Sequence, residues 1–317
     1  MLKVLILSNG YRAIDDRTRI NFLKMLQELC DLKIYGPGEY DKAPELAPYK
    51  FEINDAKEII KLFQPDVILI PLWKDLKGVW VPEGISKHGI PVAVLEEDHY
   101  EYGYPREEIT LNGYLHHEFH LIIRRHFYYQ RQPLNTVWLP FSASEKEFYP
   151  DESIPRKNII GFAGTGIEGN VCRGHKIRQK AYKILLENNL LDKKHGKIVG
   201  AEYSKYLRSH TGSLACAGST IHAPMAKCFE IILSGTALLT NMMENSTELF
   251  GDKRCYFQYK DDCSDVVERA QEILNNPNKV DEVVYNAMNR VLSKHTDSKR
   301  VTELYNILNS LASGGQP

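Results

Sequence analysis

Glu230 stands in an apolar helical run, Phe229-Glu230-Ile231-Ile232-Leu233. A carboxylate there is costly unless it is hydrogen-bonded or neutralised. The two hydroxyls of a ribose would satisfy it, and so would an internal ion pair with Lys227. Just upstream, Gly218-Ser219-Thr220-Ile221-His222-Ala223-Pro224 leads into that helix. Pro224 suits a first helical turn, which leaves backbone N–H groups aimed at the loop, a natural anion site.

Gly164-Thr165-Gly166-Ile167-Glu168-Gly169 follows an apolar run and has the spacing of a dinucleotide loop. The helix starts only after Arg173-Gly174-His175-Lys176, and no acidic residue stands where it would hold a ribose. A flexible turn that lets the backbone approach a phosphate is the better reading. Arg173, Lys176 and Arg178 crowd the start of the next helix; each alone reads as a solvated base, and together they could neutralise a diphosphate.

In the first half, Gly10-Tyr11-Arg12 follows the opening apolar run, and Arg12 could meet a phosphate; Asp15-Asp16-Arg17 reads as a helix cap. Glu96-Glu97-Asp98-His99 follows another such run. Asp98 and His99 are its candidates for a general base. His116-His117-Glu118-Phe119-His120 places two histidines four apart, yet no third ligand stands at a diagnostic distance, so a zinc site is disfavoured. The Tyr- and His-rich run through Arg124, Arg125, His126, Tyr128 and Tyr129 reads as an amphipathic helix with polar-tipped aromatics, or as the lining of an acceptor groove.

These residues sit between elements that alternate. Lys3 to Leu7, Leu32 to Tyr35, Asp66 to Ile70 and Pro91 to Leu95 are strand-like, with helical spacing at Thr18 to Cys30 and from Asp55 to Phe63. A second series has strands at Asn158 to Ala163, Ile198-Val199, Ser213 to Cys216 and Ala237 to Thr240. Its helices fall at Arg178 to Asn188, Ala226 to Leu233, Val266 to Leu274 and Val280 to Leu292. Alternation of this kind predicts doubly wound α/β domains, which take ligands at the carboxyl ends of their strands. The aperiodic stretch from Phe141 to Lys157 holds the boundary.

The 317 residues make room for two domains. Forty basic residues against forty-one acidic ones leave no charge signature of a general nucleic-acid or membrane-surface binder. Six cysteines without C-x-x-C spacing read as reduced thiols in a cytoplasmic protein. The N-terminal apolar run lacks the small-residue cleavage site of a signal peptide, and no eighteen apolar residues run together.

The stretch Phe229-Glu230-Ile231-Ile232-Leu233-Ser234-Gly235-Thr236-Ala237-Leu238-Leu239-Thr240-Asn241, with Glu248-Leu249-Phe250 after it, resembles the nucleotide-binding signature of GT-B glycosyltransferases. It is most similar to the CgeB-type (spore maturation protein) branch of the group 1 families. Asn275-Asn276-Pro277, Ser293-Lys294-His295-Thr296 and Arg300-Val301 resemble that branch's closing helices; Val137-Trp138-Leu139-Pro140-Phe141 and Phe162-Ala163-Gly164 resemble its interdomain passage. The resemblance lies after residue 137.

It implies an α/β fold of GT-B type, two Rossmann-like doubly wound domains facing an interdomain cleft. Residues 1–150 would form the acceptor side and 151–299 the nucleotide-sugar side, with a helix in 300–317 packing back on the first domain. Glu230 matches the second acid of a Glu-x7-Glu pattern and would bind the donor ribose, while His222 falls where the first acid would be and would contact the donor sugar or phosphate instead. Read together with the loops after the strand-like runs, this gives a donor set of Gly10, Arg12, Gly164, Thr165, Arg173, Lys176, Arg178, Ser219, Thr220, Ala223, Lys227 and Glu230, with Asp98, His99 and His222 as catalytic candidates. The activity implied is metal-independent, cofactor-free transfer of a sugar from a nucleotide-sugar donor, UDP-linked, to the hydroxyl of a glycan, protein, small molecule or modified nucleobase. The alternative is a binding module that keeps the fold without the chemistry.

Overall fold

Lys3–Leu7 (β1) sends alternate side chains into two apolar layers: Val4 and Ile6 join one buried cluster, Leu5 and Leu7 the other. A strand covered on both faces needs an unbroken apolar run, and this one has it. The computed structural model describes residues 1–7, 17–35, 56–72, 85–96, 119–126, 135–164, 176–192, 198, 200–216 and 222–315. These form two compact units, one holding the described residues up to Pro140 together with 298–315, the other holding 141–297.

In the first unit β1 is followed by α1 (Arg17–Leu29), β2 (Asp31–Tyr35), α2 (Ala56–Phe63), β3 (Val67–Leu72), β4 (Val92–Glu96), β5 (Leu121–Arg124) and β6 (Thr136–Trp138). The six strands pair in the order β2-β1-β3-β4-β5-β6, all parallel. Of the Tyr- and His-rich run, Arg124 ends strand β5 and Arg125 and His126 follow it outside any helix, while Tyr128 and Tyr129 lie outside the described residues. Leu121–Arg124 is buried throughout and lies between β4 and β6.

The second unit contains β7 (Lys157–Gly161), α3 (Lys176–Glu187), α4 (Ala201–Arg208), β8 (His210–Leu214), α5 (Ala226–Leu233), β9 (Ala237–Asn241), α6 (Ser246–Phe250), β10 (Phe257–Tyr259), α7 (Val266–Asn275) and α8 (Pro277–Lys294). Its four strands are parallel in the order β10-β9-β8-β7. Ile198, read as strand, lies outside every strand. Helix α5 stops at a Schellman turn: the Gly235 N–H donates to Ile232 O and the Thr236 N–H to Ile231 O, with Gly235 at φ +69°. The last helix, α9 (Asp297–Ala312), sets Val301, Leu304 and Leu308 against Val4, Leu26 and Leu95 in the first unit's core.

Glu272 on α7 is held by Arg254, Arg269 and Lys279. Burial pushes its carboxyl up, but hydrogen bonds from those three bases outweigh that and bring it down to about 2. A carboxylate lowered on folding contributes stability above its unfolded value, and the contribution disappears as the pH falls through the folded value. Glu272→Gln is therefore less stable than the parent protein at pH 7, and urea melts of the two converge as the pH drops from about 4.5 toward 2.

Candidate functional site

Strand β7 ends at Gly161, and the chain continues through Phe162, Ala163 and Gly164. The Tyr206 hydroxyl on α4 accepts from the Phe162 N–H (3.0 Å) and lies 3.2 Å from Phe162 O, which fixes this exit. Helix α5 brings Lys227 to the same place. Its Nζ donates to Ala163 O and stands 5.6 Å from the centre of the Phe162 ring. A Cβ on Gly164 would come within 2.9 Å of that Nζ, so a side chain there would displace the lysine tip.

Arg178 on α3 adds a second cation. It is only 7% exposed, and among the described residues its Nε and Nη2 have no hydrogen-bond partner. Burial, and after it the Arg178 charge, lower the Lys227 ammonium, Glu230 acts in the opposite direction, and the balance leaves it at about 8. Two neighbouring cations, one nearly sealed from water, form an arrangement that an anion completes. Lys176 does not join them: it is exposed, and two residues from Arg178 on one helix it faces away.

Lys227 and Glu230 are three apart on α5 and share a face. The Glu230 carboxylate accepts from the Tyr203 hydroxyl of α4 at 2.8 Å. Burial, then the Glu230 charge, pushes the Tyr203 phenol well above its ordinary value, so it stays a donor. Tyr203 was not foreseen, because Ala201–Arg208 spans two turns and was not read as a helix. The start of α5 has no side-chain cap; Met225 is the N-cap, so Pro224 precedes the first turn instead of occupying it. Ala223 and Pro224 are buried on the way in.

His222 stands before α5 with Nε2 2.7 Å from Asp261 Oδ2 and Nδ1 3.9 Å from Glu244 Oε1. Gly10, Arg12, Asp98, His99, Thr165, Arg173, Ser219 and Thr220 lie outside the described residues, as does His116. His120 accepts from the Val92 N–H through Nδ1. Among the described residues no three His, Cys, Asp or Glu side chains gather closely enough to hold a metal ion, and no helix is long and apolar enough to cross a membrane.

Two doubly wound parallel units, with basic groups and an uncapped helix at the carboxyl end of a strand, define a GT-B glycosyltransferase fold. Residues 171–306 match the glycosyl transferase-like family, and that match with the fold supports glycosyl transfer and the group 1 families. The chain is similar over 99% of its length, and 100% of the other's, to sucrose-phosphate synthase from Thermosynechococcus elongatus, at 12% identity and a TM-score of 0.71. Anabaena HepE, solved with UDP and glucose, matches 98% of the chain and 100% of its own at 11% identity and a TM-score of 0.70. An alpha-glucosyltransferase solved with UDP and a 13-mer DNA matches 96% of the chain and 99% of its own at 12% identity and a TM-score of 0.59. No curated protein matches the chain by sequence.

Proposed function

We propose that this protein transfers a sugar from a UDP-linked donor to an acceptor hydroxyl without a metal ion. The observation that carries the reading is the Arg178–Lys227 pair, two cations at the exit of β7 beside Gly164. The acceptor oxygen bonds to the anomeric carbon as the bond from that carbon to the diphosphate oxygen breaks, and the electron pair leaves with UDP. Arg178, Lys227 and the α5 N-terminus would receive that charge in the role a metal ion fills elsewhere. Glu230, steadied by Tyr203, would bind the ribose. Asp98 and His99 remain candidates for the acceptor's proton if the reaction inverts. The resemblance to the CgeB-type branch and the cytoplasmic location belong to the same proposal, with the acceptor a glycan, protein, small molecule or modified nucleobase. UDP bound in HepE and in the alpha-glucosyltransferase supports the choice of nucleotide.

Calorimetry with UDP tests the reading. Glu230→Ala lowers UDP affinity roughly 10- to 150-fold, the equivalent of about 1.5–3 kcal/mol for a hydrogen bond to a charged group, while the melting temperature holds. Unchanged affinity in the folded variant would make Glu230 a structural residue. Release of UDP from the donor is expected to proceed in EDTA at the rate seen with added manganese. Activity that EDTA abolishes and manganese restores contradicts the metal-free mechanism. A protein that binds UDP yet never releases it from a donor is a binding module.

A further inference from the structure

His210 opens β8 and is buried, with each ring nitrogen against an oxygen that can only accept. Nδ1 lies 2.8 Å from Tyr206 O at the C-terminal end of α4, and Nε2 lies 2.9 Å from Asp192 Oδ2 beyond α3. A carbonyl has no proton to give. Neither has Asp192: burial pushes its carboxyl up, but hydrogen bonds from His210 and Lys157 outweigh that and hold it below the ordinary value. Ser209 Oγ, 3.1 Å from Nδ1, spends its own proton on Tyr206 O at 2.8 Å. Both nitrogens therefore donate, which makes the ring the doubly protonated cation. The last turn of a helix, whose free carbonyls carry partial negative charge, favours a cation there.

The ring also reaches the strand exit at the donor site. Its centre is 4.4 Å from the centre of the Tyr206 ring, a cation against an aromatic face. A Cβ on Gly161 would come within 2.8 Å of the imidazole Cγ, so the ring lies against the last residue of β7. One residue on, the Tyr206 hydroxyl holds the N–H and O of Phe162. Tyr206 is gripped at both ends, its carbonyl by His210 and its hydroxyl by the segment whose Ala163 O receives Lys227. Facing the ring are Asp192, Tyr206 and, 3.0 Å from Asp192, Lys157 of β7.

We propose that His210 is a positioning residue of the donor site, whose two ring protons hold Tyr206 between α4 and the β7 exit, so that donor affinity depends on the charged ring. The inference rests on the donor site proposed above. When the ring loses one proton, a lone pair is left facing either Tyr206 O or Asp192 Oδ2, a repulsive contact in a place closed to water. Tyr206 shifts in response, and the backbone from Phe162 to Gly164 shifts with it. That backbone sets the tip of Lys227, so the ring acts on the donor without touching it. Donor affinity is highest with the ring charged and falls as the pH rises through the ring's titration.

Nitrogen-15 NMR of the imidazole and of the Phe162 amide, with calorimetry on UDP-glucose, forms the test, followed upward from about pH 5 until the ring has lost a proton. The sugar-linked diphosphate has no weakly acidic proton, so the ligand's phosphates stay silent. In the unmodified protein both His210 nitrogens are expected to carry protons at the acidic end, and the Phe162 amide signal moves with the ring as it titrates. UDP-glucose affinity falls roughly tenfold over the same interval, the equivalent of one hydrogen bond. His210→Gln starts at the lower affinity and lacks that step. Tyr206→Phe lacks it too, because the link between ring and exit is cut. A single proton on the ring at pH 5, a Phe162 amide that ignores the ring's titration, or a step that persists in His210→Gln overturns the proposal. Failure of the unmodified protein to bind UDP-glucose defeats the donor-site reading instead, and the Phe162 signal still decides for or against the link from His210 to the exit.

Discussion

Lys227→Met is expected to lose UDP affinity by roughly a hundredfold or more while leaving the ligand-free protein as stable as before, or more so. The loss follows from removing a charge-assisted contact to the diphosphate from a partly dried site, where each such hydrogen bond is worth about 1.5–3 kcal/mol. The gain in stability follows from the neighbourhood. Arg178 is buried with its Nε and Nη2 unpartnered among the described residues, and its charge presses on the Lys227 ammonium. Removing one of two repelling cations relieves that strain when no anion is present.

The acid–base behaviour gives a second readout of the same variant. A lysine lowered on folding to about 8 binds protons less tightly than in the unfolded chain, so its cost is fully present below that pH. The cost fades as the pH rises from about 8 toward the ordinary lysine value near 10.4. UDP favours the charged amine. Its binding near pH 8 therefore takes up a proton, and affinity declines as the pH rises further. Calorimetry in two buffers of different ionisation enthalpy measures the uptake, and Lys227→Met should show none of that increment. Wild-type UDP affinity left intact in the methionine variant would remove Lys227 from the site.

Phe229→Ala is expected to cost about 3–5 kcal/mol, a large part of the 5–15 kcal/mol typical of a folded domain. Phe229 is fully buried and stacks with Phe250 at 5.8 Å between ring centres, with the His295 ring at 5.4 Å. It lies on α5 between Lys227 and Glu230, so the packing that anchors the helix also holds both site residues. Urea denaturation of the alanine variant reads the loss, and Phe229→Leu should retain much of the stability. A cost below about 1 kcal/mol would mean that the site is held by something other than this cluster.

Much of the scaffold was legible because the signal was local. Val4 to Leu7 is a continuous apolar run, and the Ala226–Leu233 helix and the Ala237 strand are separated by Ser234-Gly235, which folds into the Schellman turn. Four-residue β5, with Arg124 buried at its end, offered too short an apolar run to be read as a strand. The site was legible by residue type more than by grouping. Lys176 and Arg178 look like one basic cluster in sequence, but a helix turns them apart, and only Arg178 approaches Lys227. The pairings of Tyr203 with Glu230 and of Asp261 with His222 could not be read because they span 27 and 39 residues. Nothing in a local pattern encodes such a meeting.

Helix α9 sets the order in which the chain can mature. Val301, Leu304, Ile307 and Leu308 are part of the same apolar cluster as Val4, Ile6 and Leu26, nearly three hundred residues earlier. As the chain leaves the ribosome, residues 141–297 are all available before the first unit has its closing helix. The nucleotide-side unit can therefore reach its native packing first, while the earlier-made unit waits with one face of its sheet covered by α1 but not yet by α9. A nascent chain stalled just short of α9 would expose the part of that face which α9 covers, and quality-control chaperones that recognise apolar surface would meet the N-terminal half, not the half synthesised last.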